Sequence, residues 1–303
     1  MTLAAGTRVL VTGGAGFVGR RLVERLGADP SRLVVTSARP PAEVGPLAAG
    51  VVVRADLTDL GAVRALVAEH RPQVVFHLAS AVTGSRSRGV VQPTFQKNLV
   101  STVMLLDVLT EDGGCERFVH AGSLEEPAPG DPATPSSPYA AAKVAATTYV
   151  RMFHELYSLP TAIARIFMVY GPGIQNETRL VPYVTRALLR GESPALSSGT
   201  RAVDWVYVDD VIDGLLLLAT QPAAIGHTVD LGTGTLTTVR DVATQLRRLT
   251  GATVEPAFGA LDTRPNEQVR HADAAATRTL LGWAPATALE VGLAATVAWF
   301  RTH

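Results

Sequence analysis

The chain has 303 residues, of which 47% are hydrophobic and 18% charged, and its 27 basic residues balance its 27 acidic ones. This length buries a full hydrophobic core, either as one large α/β domain or as a domain with a smaller lobe. The balanced charge offers no basic surface for nucleic acid or for an acidic membrane, so we expect neither partner. Cys115 is the single cysteine, which excludes an intrachain disulfide and agrees with the reducing cytoplasm, where we expect the protein.

Through residues 1–171, short β-branched runs alternate with segments whose apolar residues recur every three or four positions. This alternation predicts a Rossmann-like, doubly wound α/β domain with a parallel sheet. Residues 172–303 lose the alternation, which predicts a smaller, mostly helical C-terminal lobe with some segments returning to the first domain. The predicted strands are Arg8–Thr12, Leu33–Thr36, Val51–Ala55, Val74–Ala79, Arg117–Ala121 and Thr161–Phe167.

Regularly spaced glycines follow the first predicted strand. Gly13, Gly16 and Gly19 have G-x-x-G-x-x-G spacing in VLVTGGAGFVGRRL, directly between a strand and a helix. Such a turn needs residues without Cβ, so that backbone N–H groups and the helix N-terminus can approach a pyrophosphate closely. The order of strand, turn and helix predicts that this turn binds the phosphates of a dinucleotide.

The end of the second strand bears on the choice of dinucleotide. An NAD-binding chain usually carries an Asp or Glu about 20 residues after the glycines, where it binds the ribose hydroxyls. This chain has Thr-Ser-Ala-Arg there, so Ser37 and Arg39 are available for a 2′-phosphate and no carboxylate repels it. The segment favours NADP as the cofactor, with NAD as the alternative.

The residues after the third strand are further candidates for cofactor binding. Asp56 either accepts a hydrogen bond from the adenine or caps the helix that starts near Thr58. Its neighbour Leu57 is a second predicted contact.

Tyr139 and Lys143 stand four residues apart in SPYAAAKVAATTY, so both side chains project from one face of a helix. A phenol is a poor base at neutral pH, and an adjacent ammonium favours its ionised form. Such a pair can move a proton at a sugar hydroxyl or a ketone. The chain has two lysines, Lys97 and Lys143, and this scarcity weighs against a merely solvated Lys143.

Several segments together resemble the nucleotide-sugar epimerase/dehydratase branch of the extended short-chain dehydrogenase/reductase superfamily. They are TGGAGFVG, HLAS, KNLVSTVMLL, YAAAK, YGPG and RAVDWVYVDDV, and they span nearly the whole chain. The resemblance implies that Ser123 polarises the reacting carbonyl or hydroxyl and that Tyr139 transfers the proton. It also implies that Lys143 binds the ribose and that Asn98 holds Lys143 through a water. Further cofactor contacts are expected from Phe17, Val18, Leu78, Ala79, Ser80 and Ile166.

The resemblance assigns the binding of a nucleotide-diphosphate sugar to the second lobe. Arg201 in TRAVDW and Arg264 in TRPNEQ resemble two arginines that grip the diphosphate, a role that suits a guanidinium. Arg179 and Leu180 stand where the family contacts the same region, although each arginine could instead be an ordinary surface residue. Met168 stands where the family usually has Asn, so one polar contact to the substrate is missing.

The segment after Ser123 bears on which reaction is catalysed. In the 4,6-dehydratases of the family an acid/base Glu lies two residues after the Ser or Thr, as Glu125 does here. The phrase AGSLEEP also resembles a segment of nucleotide-linked 4-keto-6-deoxyhexose reductases. An NADP preference suits net reduction, so we expect an NADPH-dependent reductase of a nucleotide-bound 4-keto-6-deoxyhexose.

Three alternatives remain open at this point. A 4-epimerase or a 4,6-dehydratase would recycle its own cofactor, and a non-catalytic NADP-sensing protein would have lost the chemistry. Glu125 and Glu126 could be no more than loop carboxylates.

The resemblance further implies a homodimer, for which NLVSTVMLLDVL and YAAAKVAATTYV are the expected interface helices, although their apolar faces could be wholly internal. No metal site is predicted.

Overall fold

The computed structural model describes residues 3–27, 33–37, 47, 51–127, 134–263 and 269–303. The chain forms two compact units. Unit 1 comprises Met1–Ile166, Ile212–Val229 and Thr279–Trp283, and unit 2 comprises Phe167–Val211, Asp230–Arg278 and Ala284–His303. The chain therefore leaves unit 1 at residue 166 and returns to it twice.

The secondary structure is numbered here in chain order. The strands are β1 (Val9–Thr12), β2 (Leu33–Ser37), β3 (Val51–Arg54), β4 (Val74–His77), β5 (Arg117–Ser123), β6 (Thr161–Ile166), β7 (Met168–Tyr170), β8 (Ala195–Leu196), β9 (Ala202–Tyr207), β10 (Thr228–Leu231), β11 (Leu236–Thr238) and β12 (Ala257–Phe258). The longer helices are α1 (Phe17–Leu26), α2 (Leu60–His70), α3 (Ser101–Asp112), α4 (Pro138–Tyr157), α5 (Leu180–Leu189), α6 (Val208–Thr220), α7 (Val239–Thr250), α8 (Ala274–Leu281) and α9 (Leu289–Thr302). A 3₁₀ turn (Arg88–Val90), a short α-helical turn (Val91–Thr94) and a π-helical turn (Phe95–Val100) lead into α3, and a second 3₁₀ turn is Pro222–Ala224.

A seven-stranded sheet has the order β10-β6-β5-β4-β1-β2-β3. β1 pairs in parallel with β2 and with β4, so that Val9 is opposite Leu33 on one side and Val74 on the other. The strand order reverses at β1, and the loops that follow β1 and β4 therefore diverge at the carboxyl edge of the sheet. Doubly wound sheets bind their ligands in the crevice at this point. The predicted Rossmann-like fold is confirmed.

The six predicted strands are all present, with ends that shift by one or two residues. After His77 the Leu78 N–H still bonds to the Thr12 carbonyl, but the N–H groups of Ala79 and Ala81 bond to side chains, and β4 ends there. β5 continues to Ser123 because its parallel register with β6 extends to the pair Ser123 and Ile166. The carboxyl ends of both strands thus carry polar side chains that the site uses.

The core of unit 1 lies between the sheet and helices α2, α3 and α4. β1, β2 and β4 are buried along their whole length, as parallel strands covered by helices require. One buried cluster joins Leu10, Val75 and Phe118 of the sheet with Leu105 of α3 and Val150 of α4. Each such side chain stabilises the fold by about 1.5–3 kcal/mol relative to an exposed one. Among the described residues, none of the helices combines the length and the apolar character that crossing a bilayer demands.

Unit 2 contains helices and two small sheets. β9 pairs in parallel with β7 and antiparallel with β11, and β8 pairs in parallel with β12. Helices α5, α7 and α9 pack with the three-stranded sheet around Tyr170, Trp205 and Leu293. The helical character is as predicted, but the sheets were not: four of their five strands have only two or three residues, too few to produce a recognisable period, and the six-residue β9 was missed as well.

Two buried carboxylates organise the loops of unit 2. Asp204 on β9 accepts hydrogen bonds from the backbone N–H groups of Thr233, Gly234 and Ala272 at 2.8–2.9 Å. Asp210 on α6 accepts from the N–H groups of residues 286 and 287, each at 3.1 Å. Several N–H hydrogen bonds to a carboxylate offset the energetic cost of burying its charge. Through Asp204 and Asp210, the DWVYVDD segment therefore fixes three other chain segments of this unit.

Candidate cofactor-binding and catalytic site

The glycine turn after β1 permits close approach of backbone and ligand. Gly13 has a φ of +70°, which favours glycine, and a Cβ there would lie 2.7 Å from the Ala79 nitrogen. A Cβ on Gly19 would meet the backbone of the same turn. Helix α1 begins at Phe17 with Gly16 as its N-cap, and no side chain caps its first N–H groups. These donors and the helix dipole fit an anion such as a pyrophosphate.

The residues predicted to flank the cofactor lie after β4, at the start of α1 and at the end of β6. Ala79 approaches Gly13 directly, and Ile166 ends β6 opposite Ser123. Their contacts with a cofactor remain a prediction. The half-buried members of the predicted set are Phe17, Val18, Leu78, Ala79, Ser80 and Ile166.

The acidic residue after β3 has a local role in the structure. Asp56 Oδ1 accepts hydrogen bonds from the N–H of Thr58 at 2.9 Å and from its hydroxyl at 2.7 Å, which lowers the pKa of Asp56. The N-cap of α2 is Asp59, whose side chain accepts from the N–H of Ala62. Asp56 is therefore not the helix cap, and it is exposed at the sheet edge. The side chain of Leu57 belongs to the core.

The residues expected to set the cofactor type are described in part. Ser37 ends β2 and is buried. Arg39 lies outside the described residues.

A hydrogen-bond chain runs through the buried His77. The Thr102 hydroxyl donates to the Asn98 carbonyl at 2.8 Å, so it can only accept from His77 Nε2, 2.9 Å away. Burial, aided by the Lys143 charge, lowers the pKa of His77 to about 3, which keeps the ring neutral. Its Nδ1 therefore accepts from the Thr12 hydroxyl at 2.8 Å.

The same chain reaches the backbone next to the glycine turn. The Thr12 hydroxyl accepts from the Ala79 N–H at 3.2 Å. The donor and the acceptor of each hydrogen bond in the chain from residue 79 to Asn98 are thus determined. His77 carries its hydrogen on Nε2 and accepts at Nδ1. The chain fixes β1, β4 and the first turn of α3 to one another, so His77 positions the loop that faces Gly13.

Asn98 closes this network from the other side. It lies in the π-helical turn, an irregularity that is common at functional sites, and its side chain is buried. Its Oδ1 accepts from the Ala81 N–H at 2.7 Å and from the Ser80 hydroxyl at 3.1 Å. The predicted water-mediated link from Asn98 to Lys143 remains a prediction.

Ser123 stands at the carboxyl end of β5 with only 7% of its surface exposed. Its hydroxyl oxygen accepts a hydrogen bond from the Glu125 N–H at 3.2 Å. That bond leaves the hydroxyl hydrogen available for a substrate oxygen. Such a donor is what stabilisation of a developing oxyanion requires.

Helix α4 carries both members of the predicted acid/base pair. Ser137 caps it by accepting from the Ala140 N–H at 3.0 Å, and Pro138 occupies the first turn. Lys143 Nζ donates to the Ala121 carbonyl on β5 at 2.8 Å. Burial lowers the pKa of Lys143 to about 8. Because Ala121 precedes Ser123 by two residues on one strand, this contact brings the lysine and the serine together.

Glu125 is fixed to the start of the same helix. It is half-buried, and its Oε2 accepts from the Ser137 hydroxyl at 3.1 Å. Ser123, Glu125 and the first turn of α4 therefore form one connected group.

Two polar residues of this region were not among the predicted site residues. His77 ends the apolar run VVFH, and a polar side chain in a buried strand is a signal that sequence analysis can use. The sequence leaves open that Glu126 is no more than a loop carboxylate, but in the structure its side chain is buried and only 4% exposed. Its burial depends on how the loop folds back, which no local pattern predicts.

The predicted substrate residues lie in unit 2. Arg179 is the N-cap residue of α5 and is half-buried. Leu180 and Met168 pack against the core of unit 2, and Arg201, just before β9, is half-buried. Arg264 lies outside the described residues. Their contacts with a substrate remain a prediction.

A Rossmann-like sheet, a glycine turn after β1 and a Tyr-x-x-x-Lys pair on α4 define the class of this protein as a short-chain dehydrogenase/reductase. The model of the NAD dependent epimerase/dehydratase family matches residues 9–232. The chain belongs to this family, and it is an NAD-dependent enzyme of the epimerase/dehydratase kind.

Relatives and solved structures match along nearly the full chain. The UDP-glucose 4-epimerase of Mycolicibacterium smegmatis is 35% identical, over 97% of this chain and 98% of that protein. A UDP-glucose 4-epimerase of Thermotoga maritima, solved with UDP-glucose, has a TM-score of 0.86 at 29% identity and 98% and 99% coverage. MoeE5, solved with UDP-glucuronic acid and NAD, has a TM-score of 0.85 at 30% identity, covering 97% of this chain and 99% of that one.

The buried histidines predict a pH dependence of stability. Burial keeps His77 neutral and holds the pKa of His120 well below its usual value, whereas the unfolded chain binds protons at both below about pH 6.5. We expect the free energy of unfolding to be at its full value above about pH 6.5. It should fall as the pH drops towards 3, by about 1.4 kcal/mol per pH unit for each histidine.

Urea unfolding between pH 4 and 8 measures this slope in the wild type and in His77→Leu. The variant should lose the contribution of one histidine to the slope, whatever its absolute stability. Thr102→Val is the matched control, because it removes a hydroxyl of the network and keeps the titrating ring. An equal slope in His77→Leu and in the wild type would contradict a neutral, buried His77.

Proposed function

We propose that the enzyme is a nucleotide-sugar 4-epimerase, which inverts the hydroxyl at C4 of a sugar linked to a nucleoside diphosphate. The observation that carries the proposal is the hydrogen bond from Lys143 on α4 to the Ala121 carbonyl of β5, two residues before Ser123, with Tyr139 one turn before the lysine. The relatives named as UDP-glucose 4-epimerases support this reaction. They favour a self-recycling enzyme over the NADPH-dependent reductase expected from the sequence, which these relatives do not specifically support.

The chain's own residues account for the proton movements. NAD, when bound, supplies the hydride acceptor and donor at C4. The Tyr139 phenol oxygen takes the proton of the 4-hydroxyl as the sugar is oxidised and returns it to the oxygen on reduction. Ser123 donates its hydroxyl hydrogen to the same sugar oxygen. Lys143, buried beside β5, supplies the positive charge that favours an ionised phenol.

A second candidate reaction is 4,6-dehydration. Glu125 favours it, because this half-buried carboxylate lies two residues from Ser123 and is held by the cap of α4. After oxidation at C4, such a base would take the C5 proton and pass it to the departing C6 hydroxyl, which leaves as water; the hydride taken from C4 would then be returned at C6 and a proton at C5. Apolar Leu124, which is buried next to it, offers no second acid.

Turnover of nucleotide sugars tests these reactions. We expect purified enzyme to convert UDP-glucose and UDP-galactose into each other without net formation of NADH, as measured by chromatography and absorbance at 340 nm. Tyr139→Phe should lower kcat by about 10²–10⁴-fold while cofactor binding persists. Loss of one water from a thymidine or uridine sugar would support the dehydratase instead. Stoichiometric NADPH consumption on a nucleotide 4-ketosugar would overturn both and restore the reductase.

We infer that the cofactor pocket also accepts a 2′-phosphate. No carboxylate ends β2; Ser37 at its end offers a hydroxyl, and Arg39, two residues later in the sequence, offers a guanidinium. Isothermal titration should give a Kd for NADP no higher than that for NAD. Arg39→Ala should weaken NADP severalfold and leave NAD unchanged, which makes NAD the internal control. Tighter binding of NAD, unaffected by the substitution, would contradict a phosphate contact.

We further propose a homodimer through the helices around α4. Tyr149, Leu156 and Tyr157 of α4 are 40–66% exposed, and Phe95 of the adjoining π-helical turn is 43% exposed. Large apolar side chains that stay exposed on packed helices are typical of an interface.

Light scattering measures the mass of the wild type and of a double variant that combines Phe95→Glu and Tyr149→Glu. The double variant should be monomeric, because two carboxylates would have to be desolvated in the interface. Val291→Glu, at a 62% exposed apolar position of unit 2, should leave the dimer unchanged. A monomeric wild type would overturn this proposal.

A further inference from the structure

Glu126 is a buried carboxylate in the loop after β5. It is 4% exposed, whereas its neighbour Glu125 is half-buried. Burying an ionised carboxyl costs several kcal/mol unless partners offset it. Burial raises the pKa of Glu126, and the Ser123 N–H and the charges of Lys143 and Arg165 act in the opposite direction. The environment of Glu126 is therefore assembled from β5, β6 and α4.

Two hydrogen bonds connect Glu126 to the backbone of Ser123. The Ser123 N–H donates to Glu126 Oε1 at 2.6 Å, and the Glu126 N–H donates to the Ser123 carbonyl at 3.1 Å. A Cβ on Gly122 would lie 2.8 Å from the same carboxylate oxygen, so the preceding residue leaves room for it. Ser123 is thus held at both of its backbone polar groups, which fixes the Cα–Cβ bond from which its hydroxyl projects.

Glu126 is also the buried negative charge that acts on Lys143. Lys143 is 2% exposed, and burial lowers its pKa to about 8, while the attraction of Glu126 raises it. The other groups that face this lysine from the sheet, His77 and His120, have pKa values lowered by burial and are neutral. Arg165 on β6 acts on Glu126. Removing the carboxylate charge should therefore make Lys143 lose its proton more easily.

We propose that Glu126 is a positioning residue that fixes the Ser123 hydroxyl and balances the charge of Lys143. The proposal rests on the catalytic roles proposed for Ser123 and Lys143. It goes beyond them by assigning a structural and electrostatic role to Glu126, the second carboxylate of the SLEE segment.

The scarcity of lysine allows a direct test without substrate. Protein labelled with ¹³Cε-lysine gives two signals, from Lys143 and from the exposed Lys97, which serves as the internal control. In the wild type we expect the Lys143 signal to titrate near pH 8. In Glu126→Gln the midpoint should move down by about one pH unit, an approximately tenfold larger acid dissociation constant.

Glu125→Gln is the matched control, because it neutralises the adjacent carboxylate in the same loop. It should leave the Lys143 midpoint in place. An unchanged midpoint in Glu126→Gln, or an equal shift in both variants, would overturn the assigned charge balance. If Glu126→Gln does not fold, the wild type still decides: because burial raises the pKa of Glu126, the Lys143 signal should carry an acidic inflection at higher pH than the His77 titration near pH 3, and its absence would contradict the proposal.

The effect on Ser123 is tested by kinetics. Glu126→Gln keeps an acceptor for the Ser123 N–H, whereas Glu126→Leu removes it. We expect kcat to fall further in Glu126→Leu than in Glu126→Gln, with KM changed less than kcat. The alkaline limb of the kcat profile should move to lower pH in Glu126→Gln. Equal kcat values in the two variants would contradict the positioning of Ser123. Absence of turnover in the wild type would contradict the proposed function instead, and the lysine titration would still test the charge balance between Glu126 and Lys143.

Discussion

The burial of Lys143 against β5 is the interaction on which the site depends. An ammonium taken out of water costs several kcal/mol, and the chain offsets this with the Ala121 carbonyl at 2.8 Å and the nearby carboxylate of Glu126. Both partners lie on β5 or in the loop that follows it. This contact fixes which face of helix α4 packs on β5, and Tyr139, one turn before the lysine, lies on the same face.

A second constraint acts on the same edge of the sheet. Thr12, His77 and Ser123 are polar side chains at the carboxyl ends of three buried strands, and each has its hydrogen-bond partners. In a low-dielectric interior an unpaired polar atom is costly, so satisfied networks hold their members in one arrangement. The glycine turn and the loop after β4 are connected in this way through Thr12 and His77, and Ser123 is connected to the loop after β5, which gives this edge of the sheet a rigid support.

The fold was predictable because its signals are local. Six strands read from β-branched runs are present within two residues of their predicted ends, and the parallel sheet follows from their alternation with helices. The small sheets of unit 2 were missed because β8 and β12 have two residues each. That Tyr139 and Lys143 lie one turn apart on one helix was predictable from their spacing alone, and the polar His77 at the end of an apolar run was a usable signal, whereas the burial of Glu126 was not predictable.

By itself the sequence determined the doubly wound fold, the glycine turn and the residue types that an epimerase/dehydratase requires, because periodicity and motif spacing are properties of neighbouring residues. Only the tertiary structure decided which of two adjacent carboxylates is buried. Glu126 turns inward to the Ser123 N–H, and Glu125 bonds to the cap of α4. That choice depends on contacts between segments distant in the chain, since burial is set by what packs over a residue and not by the residues beside it.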